Sequence, residues 1–466
     1  MEKDKKTSSS VRPPIVTILG HVDHGKTTLL DTIRKTRVAL KEKGGITQKI
    51  GASEVKTKEG KMITFIDTPG HAAFSKMRSR GAKVADIAIL VVAAGDGVMP
   101  QTKEALSFIR EAEIPFIVAL TKIDLPSTNI ESVLGQLEKE NVLFEGRGGD
   151  TPYLGVSAKT GKGIEELLEL ISLVADVNEI KANKEDALEA LVIESVKDQR
   201  GISASVIVRN GSVKVGDSLF SDAGSFKVRG ILTEKGGAKE ILPGFAGQVL
   251  GFEILPEVGS RIASSETAFA KKEEKQNRIK VGKEEVGVVI KAENKGALEA
   301  VLNNLPAGAI VVEASVGDIY ESDVLMAKSS GGLIFAFEAK ASSGVSKLAE
   351  AEGVTIKSFD IIYELFEALE ALVQKGKTVI LGKAEIVAIF PFNNKKIAGC
   401  KILSGKISKN TKLLLMRDEK EIGKVRAISL KKQKQEVSEV SQGEEFGVLI
   451  EPQLDFAKGD MLVSVA

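Results

Sequence analysis

Eight consecutive residues, Gly20-His21-Val22-Asp23-His24-Gly25-Lys26-Thr27, have the spacing G-x-x-x-x-G-K-T and run into Thr28. Glycines at both ends of such a run let the backbone curl until several N–H groups point inward, which is an arrangement for holding phosphate oxygens. Lys26 is long enough to reach a β- or γ-phosphate, and the Thr27 hydroxyl is a ligand of the kind Mg²⁺ takes. An apolar run at 15–19 precedes the loop and a helical pattern at 27–34 follows it, so a helix N-terminus adds its positive end to the site. The competing reading is a glycine-rich turn that carries a lysine by accident. The flanking strand and helix argue against it.

Three further short motifs extend this chemistry. Asp67-Thr68-Pro69-Gly70 follows the apolar run 62–66, where a strand-end carboxylate can hold Mg²⁺ through water and the Gly70 N–H can sense a γ-phosphate. Between the two lies Gly44-Gly45-Ile46-Thr47, whose Thr47 hydroxyl could close on Mg²⁺ when a triphosphate is bound. Thr121-Lys122-Ile123-Asp124 ends the run 116–120. An aspartate there can accept two protons from the guanine edge, which adenine does not offer, and Ser157-Ala158-Lys159 would complete the base pocket. The expected ligands are therefore GTP or GDP with Mg²⁺. All three histidines of the chain, His21, His24 and His71, fall inside these motifs. His71 follows Gly70 directly, where an attacking water must stand, and a neutral imidazole suits water positioning. His21 and His24 read as structural parts of the loop.

The elements needed to position these loops are legible. Apolar runs at 15–19, 62–66, 87–93, 116–120 and 153–156 alternate with helical patterns at 27–34, 101–111, 129–140 and 163–174. Such alternation predicts a doubly wound, mostly parallel sheet. The chain of 466 residues is too long for one core, and its texture divides it. The expected plan is an α/β multidomain chain with these parts: a polar disordered tail at 1–12, the phosphate-loop domain at 13–178 and a β-barrel at 179–270. A charged linker at 271–285, an α/β domain at 286–360, a connecting helix and linker at 361–382 and a second β-barrel at 383–466 complete it. Apolar runs at 190–196, 203–208 and 249–252 are the expected strands of the first barrel, and those at 286–291, 309–313 and 333–337 of the α/β domain. Net charge is +1 and aromatics are 5% with no tryptophan, so contact with RNA must rest on local basic patches. Cys400 is the only cysteine, which excludes an intrachain disulfide and, with three clustered histidines, a zinc site. No run is long and apolar enough to span a membrane, and a cytoplasmic monomer is expected.

Residues 20–27 (GHVDHGKT) and 67–71 (DTPGH) resemble a translational GTPase. Residues 44–52 (GGITQKIGA), 67–74 (DTPGHAAF) and 97–102 (GVMPQT) are similar to bacterial translation initiation factor two, as are 289–300 (VIKAENKGALEA), 316–324 (VGDIYESDV), 361–365 (IIYEL) and 397–400 (IAGC). The resemblance spans the chain from Pro13 onward. It implies GTP hydrolysis triggered by the ribosome, joining of the small and large subunits, handling of formyl-methionyl initiator tRNA, and work beside other initiation factors. It also implies that His71 is the catalytic histidine and that Val22 and Ile46 form a hydrophobic gate before it. Thr121 stands where that family usually has asparagine, Lys49 where it has histidine and Gly95 where it has aspartate. The 383–466 segment carries 15 Lys/Arg against 11 Asp/Glu, densest at Lys431, Lys432 and Lys434 just before Glu444-Glu445-Phe446-Gly447. Its position matches the family's tRNA-end-binding barrel, which implies lysine contacts to phosphate and an apolar pocket shaped by Phe446 and Cys400. A translational GTPase of another step, in specialised elongation or rescue, is the alternative. A scaffold with a non-cycling site is a third reading, disfavoured by the intact Lys26, Thr27, Asp67 and His71.

Overall fold

The structure is a computed structural model that describes residues 10–36, 47–48, 50–126, 128–265, 286–330, 332–376, 380–392, 395–417, 420–433 and 435–465. The expected linker 271–285, most of the expected tail, and Gly44, Gly45, Ile46, Lys49 and Lys434 lie outside the described residues. The chain forms two compact units, residues 1–370 and 371–466.

Within the first unit, β1 (Ser10–Val11), β2 (Ile15–Gly20), β3 (Gly51–Lys56), β4 (Met62–Asp67), β5 (Ile87–Ala93), β6 (Phe116–Thr121) and β7 (Tyr153–Gly155) alternate with α1 (Lys26–Arg34), α2 (Ser75–Val84), α3 (Pro100–Ala112), α4 (Ile130–Lys139) and α5 (Ile164–Val177). The central sheet runs β3-β4-β2-β5-β6-β7, parallel except at its β3 edge. Every residue of β2 and β5 is buried, because helices cover both faces; this is why these strands read as unbroken apolar runs. Two cores result, one around Val16, Phe65, Ile89 and Leu167, the other around Leu19, Leu90, Leu106 and Leu134. The register sets Ile18 beside Asp67 and Leu19 beside Leu90, so the carboxyl ends of β2, β4 and β5 are level and their loops open on one edge.

Two elements were not expected. β3 is a half-buried antiparallel edge strand with burial alternating from residue to residue. α2 has no stripe of leucine and isoleucine; its buried face is Met77, Arg78, Gly81, Ala82 and Val84, a mixture that helical hydrophobic spacing cannot reveal. A Cβ at Gly81 would press on Thr68 and Thr17, so the absent side chain is what lets α2 lie close to β2. The tail boundary also needs correction. Ser10 and Val11 pair with Ala182 and Lys181, and the buried Arg12 guanidinium grips Asp86 with two bonds of 2.6 and 2.8 Å. A partner 74 residues away leaves no local mark in a lysine-rich terminus.

The barrel segment is an antiparallel six-stranded sheet led by the hairpin Glu189–Asp198 and Gly201–Asn210, with two short ladders around a core that includes Val192, Val206, Phe226 and Val249. The α/β segment has four parallel strands in the order Ala309–Val316, Val286–Ala292, Leu333–Phe337 and Thr355–Phe359. The last is an exposed edge strand of polar alternation that the apolar pattern did not signal. Helix Ile362–Gly376 follows, close to the expected connecting helix. In the second unit, Ile380–Phe392, Met461–Val465, Lys412–Arg417, Lys420–Lys432, Glu445–Glu451 and Lys395–Ser408 pair in turn, and the last pairs with the first. That closes a six-stranded barrel and leaves no free edge in the ring.

Candidate functional site

The turn leaving β2 must pass very near β5. A Cβ at Gly20 would collide with the Val91 carbonyl, so only glycine fits there. Gly25 sits at the N-cap of α1 with φ 87° and offers no side chain to cap the helix, leaving the first-turn N–H groups of α1 directed toward the loop. Lys26 is buried, and its ammonium donates to the His21 carbonyl at 2.5 Å. Burial lowers the amine to about 8, against the opposing pull of Asp67. The Val22 N–H donates to Gln101 Oε1 of α3 at 2.9 Å, tying the loop to the 97–102 stretch.

These groups line a cavity of about 200 Å³ shared by Val22, Asp23, Gly25, Lys26, Thr27, Thr28, Thr47, Gly70, His71 and Tyr363. The Thr27 and Thr47 hydroxyls, far apart in sequence, lie 2.6 Å from each other. Asp67 is buried at the end of β4 and acts on the Lys26 charge. The cavity thus presents two hydroxyl oxygens, with the Asp67 carboxylate close enough to act on Lys26; oxygen donors of these kinds fit Mg²⁺ and its habit of completing its shell with water and phosphate. Among the described residues no cluster of three or more histidine, cysteine or acidic side chains could hold another kind of metal ion. Gly70 approaches Lys26 so closely that a Cβ would strike the ammonium.

His71 is buried, and its Nδ1 accepts the Ala73 N–H at 2.8 Å. The lone pair of Nδ1 is thereby engaged, so the proton of the neutral ring sits on Nε2. Burial first, and the Arg78 charge second, lower the imidazole to about 4. The Tyr363 ring lies edge-on against it with centroids 3.8 Å apart. Residues just before Tyr363 also touch the Thr47 segment: Gln48 donates to the Asp360 carbonyl at 2.7 Å and accepts from the Ile362 N–H at 3.2 Å. Neither Tyr363 nor Gln48 was signalled by a chemical motif; each falls within a stretch quoted only for likeness.

At the other end of the loop, Thr121 donates its hydroxyl proton to the His24 carbonyl at 2.6 Å. This residue, unusual for the resembled family, therefore joins the loop after β6 to the phosphate loop. Asp124 is exposed, and its carboxylate accepts from Ser157 Oγ at 2.7 Å; that bond holds it below the usual carboxylate range, with Lys159 contributing. Ala158 accepts from Thr32 of α1 at 3.0 Å. Lys122 pairs with Asp96 at 3.2 Å in a solvent-exposed bridge. His24 is buried beneath the loop with Nδ1 at 3.4 Å from the Val91 carbonyl, and burial lowers it to about 4. Its ring meets His21 edge-on at 5.0 Å.

Residues 12–176 match the model of the elongation factor Tu GTP-binding domain, 262–370 that of translation-initiation factor 2, and 376–463 that of elongation factor Tu domain 4. Translation initiation factor IF-2 of Thermus thermophilus is 39% identical, over 99% of this chain and 88% of the relative. The chain belongs to the translation initiation factor IF-2 family. It is a translation initiation factor and a translational GTPase that binds guanine nucleotide. The IF-2 of Caldanaerobacter subterraneus is 40% identical over 98% of this chain and 70% of the relative. The solved GDP-bound aIF5B of Aeropyrum pernix is 28% identical over 98% of this chain and 92% of that one, with a TM-score of 0.48. No described helix of the factor is long and apolar enough to cross a membrane.

The C-terminal barrel of the factor departs from the expectation built on Phe446 and Cys400. The two face each other across neighbouring strands, and both side chains are buried in the barrel core with Ile386, Leu413 and Val448. Burial pushes the Cys400 thiol up to about 12. Strand alternation turned both inward, so neither shapes a surface pocket. Lys432 pairs with Glu444, which also accepts the Ser441 N–H at 2.9 Å. Part of the expected basic cluster is thus neutralised within the barrel itself, while Lys431 is exposed.

Proposed function

We propose that this factor binds formyl-methionyl initiator tRNA on the small ribosomal subunit in a GTP-dependent way, promotes subunit joining, and hydrolyses GTP when joined ribosomes engage it. The observation that carries the hydrolytic part is the fixed state of His71 beside Lys26, Thr27 and Gly70 in one cavity. In this reading the N–H groups of residues 20–28 and the Lys26 ammonium hold the phosphates, while Asp124, Ser157, Ala158 and Lys159 with Thr121 and Lys122 form the base end. Thr27, Thr47 and Asp67 would hold Mg²⁺, which when bound offsets charge on the β- and γ-phosphates. With Nδ1 occupied and the proton on Nε2, His71 donates to the oxygen of the attacking water and orients it. The ring has no lone pair left to take the water proton, which passes instead to a phosphate oxygen. Tyr363 covers the imidazole, and Val22 stands at the same cavity wall. Hydrolysis therefore waits on a partner that moves these groups, and the ribosome is that partner. GTP hydrolysis measured with each subunit alone and with joined ribosomes, with and without initiator tRNA, tests the reading. Stimulation by joined ribosomes supports it, and an equal rate without ribosomes sinks it.

A further inference from the structure

α2 carries a guanidinium that no solvent reaches. The Arg78 side chain is 0% exposed. One terminal nitrogen, Nη1, donates to the Pro69 carbonyl at 3.1 Å and also to the His71 carbonyl. The other, Nη2, donates to Glu104 Oε2 of α3 at 2.6 Å, and Glu104 Oε1 accepts from Ser75 Oγ at 2.5 Å. The bonded carbonyls stand on either side of Gly70, the residue packed on the Lys26 ammonium. With Nη2 held by Glu104, the planar guanidinium keeps Nη1 on both carbonyls; this fixes the backbone on either side of Gly70, and with it the direction in which the His71 side chain leaves the backbone. Both terminal nitrogens of the guanidinium are engaged by carbonyls and a carboxylate, while the buried Nε has no partner among the described residues, so its donors are directed at the loop and at α3 rather than at a transferring phosphate.

We propose that Arg78, anchored by Glu104, is the positioning residue of GTP hydrolysis, holding the Pro69–His71 segment so that the His71 imidazole keeps one orientation. This rests on the role given to His71 above. Both hydrogen bonds Arg78 makes with that segment are to backbone, and its charge acts besides on the His71 imidazole. A lysine at 78 would keep the charge and lose the fork, since one ammonium cannot match a planar set of donors.

The test uses the full chain with nitrogen-15 histidine, in which only three imidazoles give signals. In the unchanged protein His71 should show the pattern of a single Nε2–H tautomer. Arg78→Lys should turn it into a mixture of tautomers and slow ribosome-stimulated hydrolysis about 100-fold, the scale of a small misplacement of a reacting group. Glu104→Gln, which keeps an acceptor and removes the charge, should slow it about 10-fold, with GDP affinity in both variants within about threefold of wild type. Should Arg78→Lys fail to fold, the double change Arg78→Met with Glu104→Leu removes both charges together and carries the same expectation. Unchanged His71 signals and an unchanged stimulated rate in these variants overturn the inference. If His71→Ala loses the stimulated rate while Arg78→Lys keeps it, Arg78 alone is ruled out; if His71→Ala keeps the rate, the role of His71 has failed first.

Discussion

The nucleotide cavity and the C-terminal barrel were both read from short motifs, and the chain treats them in opposite ways. In the first, residues from the turns after β2 and β4 meet in one cavity, with Thr121 of β6 bonded to the same loop. A parallel sheet delivers successive turns to the same edge, so a motif at a strand's carboxyl end arrives at the site without any knowledge of register. In the barrel, Cys400 and Phe446 lie within strands, where a shift of one residue decides between core and surface. Both went to the core. Chemistry carried by turns at strand ends is legible from a sequence; chemistry carried by the faces of an antiparallel barrel depends on pairing that the sequence does not display.

The largest effect is expected at the proposed base-binding residues, where Asp124→Asn should shift preference from guanine toward xanthine nucleotides by about 10⁴-fold. Unchanged guanine affinity in competition binding would mean that the base lies elsewhere. In the barrel, Phe446→Ala should cost about 3–5 kcal/mol of stability in denaturant unfolding, as for a core aromatic. Full stability with loss of selectivity for acylated tRNA would restore Phe446 as a pocket residue and erase the contrast.

A third prediction concerns Glu194, which lies on a barrel strand of the first unit that the sequence presents as a plain β-branched run. Its carboxylate is buried and accepts the Ser195 N–H at 2.8 Å and the Gly296 N–H at 3.1 Å. Burial raises it from 4.5 to about 7, despite those two bonds, with Glu299 adding to the rise and Arg80 opposing it. The folded state therefore holds this proton more tightly than the unfolded one. The associated stability is present below pH 4.5 and is lost as pH rises through about 7. Glu194→Gln should raise Tm at pH 8, by the equivalent of about 3 kcal/mol, with the gain shrinking toward pH 5. A gain that is the same at both pH values would contradict the sign. The smallest effect belongs to Lys432, whose charge is already met by Glu444. Lys432→Ala should leave the salt dependence of initiator-tRNA binding nearly unchanged, whereas a phosphate-contacting Lys431 would lower the slope by about one on substitution to alanine. Equal effects at the two positions would make the ion pair irrelevant to binding.

What was legible follows the same physics. β2, β5 and β6 could be read because burial on both faces makes them continuous apolar runs, and the phosphate loop because Gly20 is required by backbone approach and Gly25 by its left-handed φ of 87°. α2 could not, since its inward face is built on Arg78 and Gly81. Arg12 with Asp86 is a side-chain meeting across 74 residues that no local pattern marks, whereas the meeting of Thr27 with Thr47 follows from their shared expectation as Mg²⁺ ligands. Thr121 was visible as a departure, yet its bond to His24 needed the fold to appear. The position of Tyr363 on His71 is of the same kind, since helix 362–376 had been read only as a connector.

The central claim is that a neutral, Nε2-protonated His71 orients the water for hydrolysis on the ribosome. Single-turnover GTP hydrolysis by wild type and His71→Ala, each with joined ribosomes, tests it most directly. His71→Ala should bind GTP with nearly wild-type affinity and lose most of the stimulated rate, about 10²- to 10³-fold, the scale of removing one preorganised donor. The wild-type stimulated rate should stay flat down to about pH 6, because the imidazole is lowered to about 4 and remains neutral there. Equal stimulated rates in the two proteins would remove His71 from the mechanism.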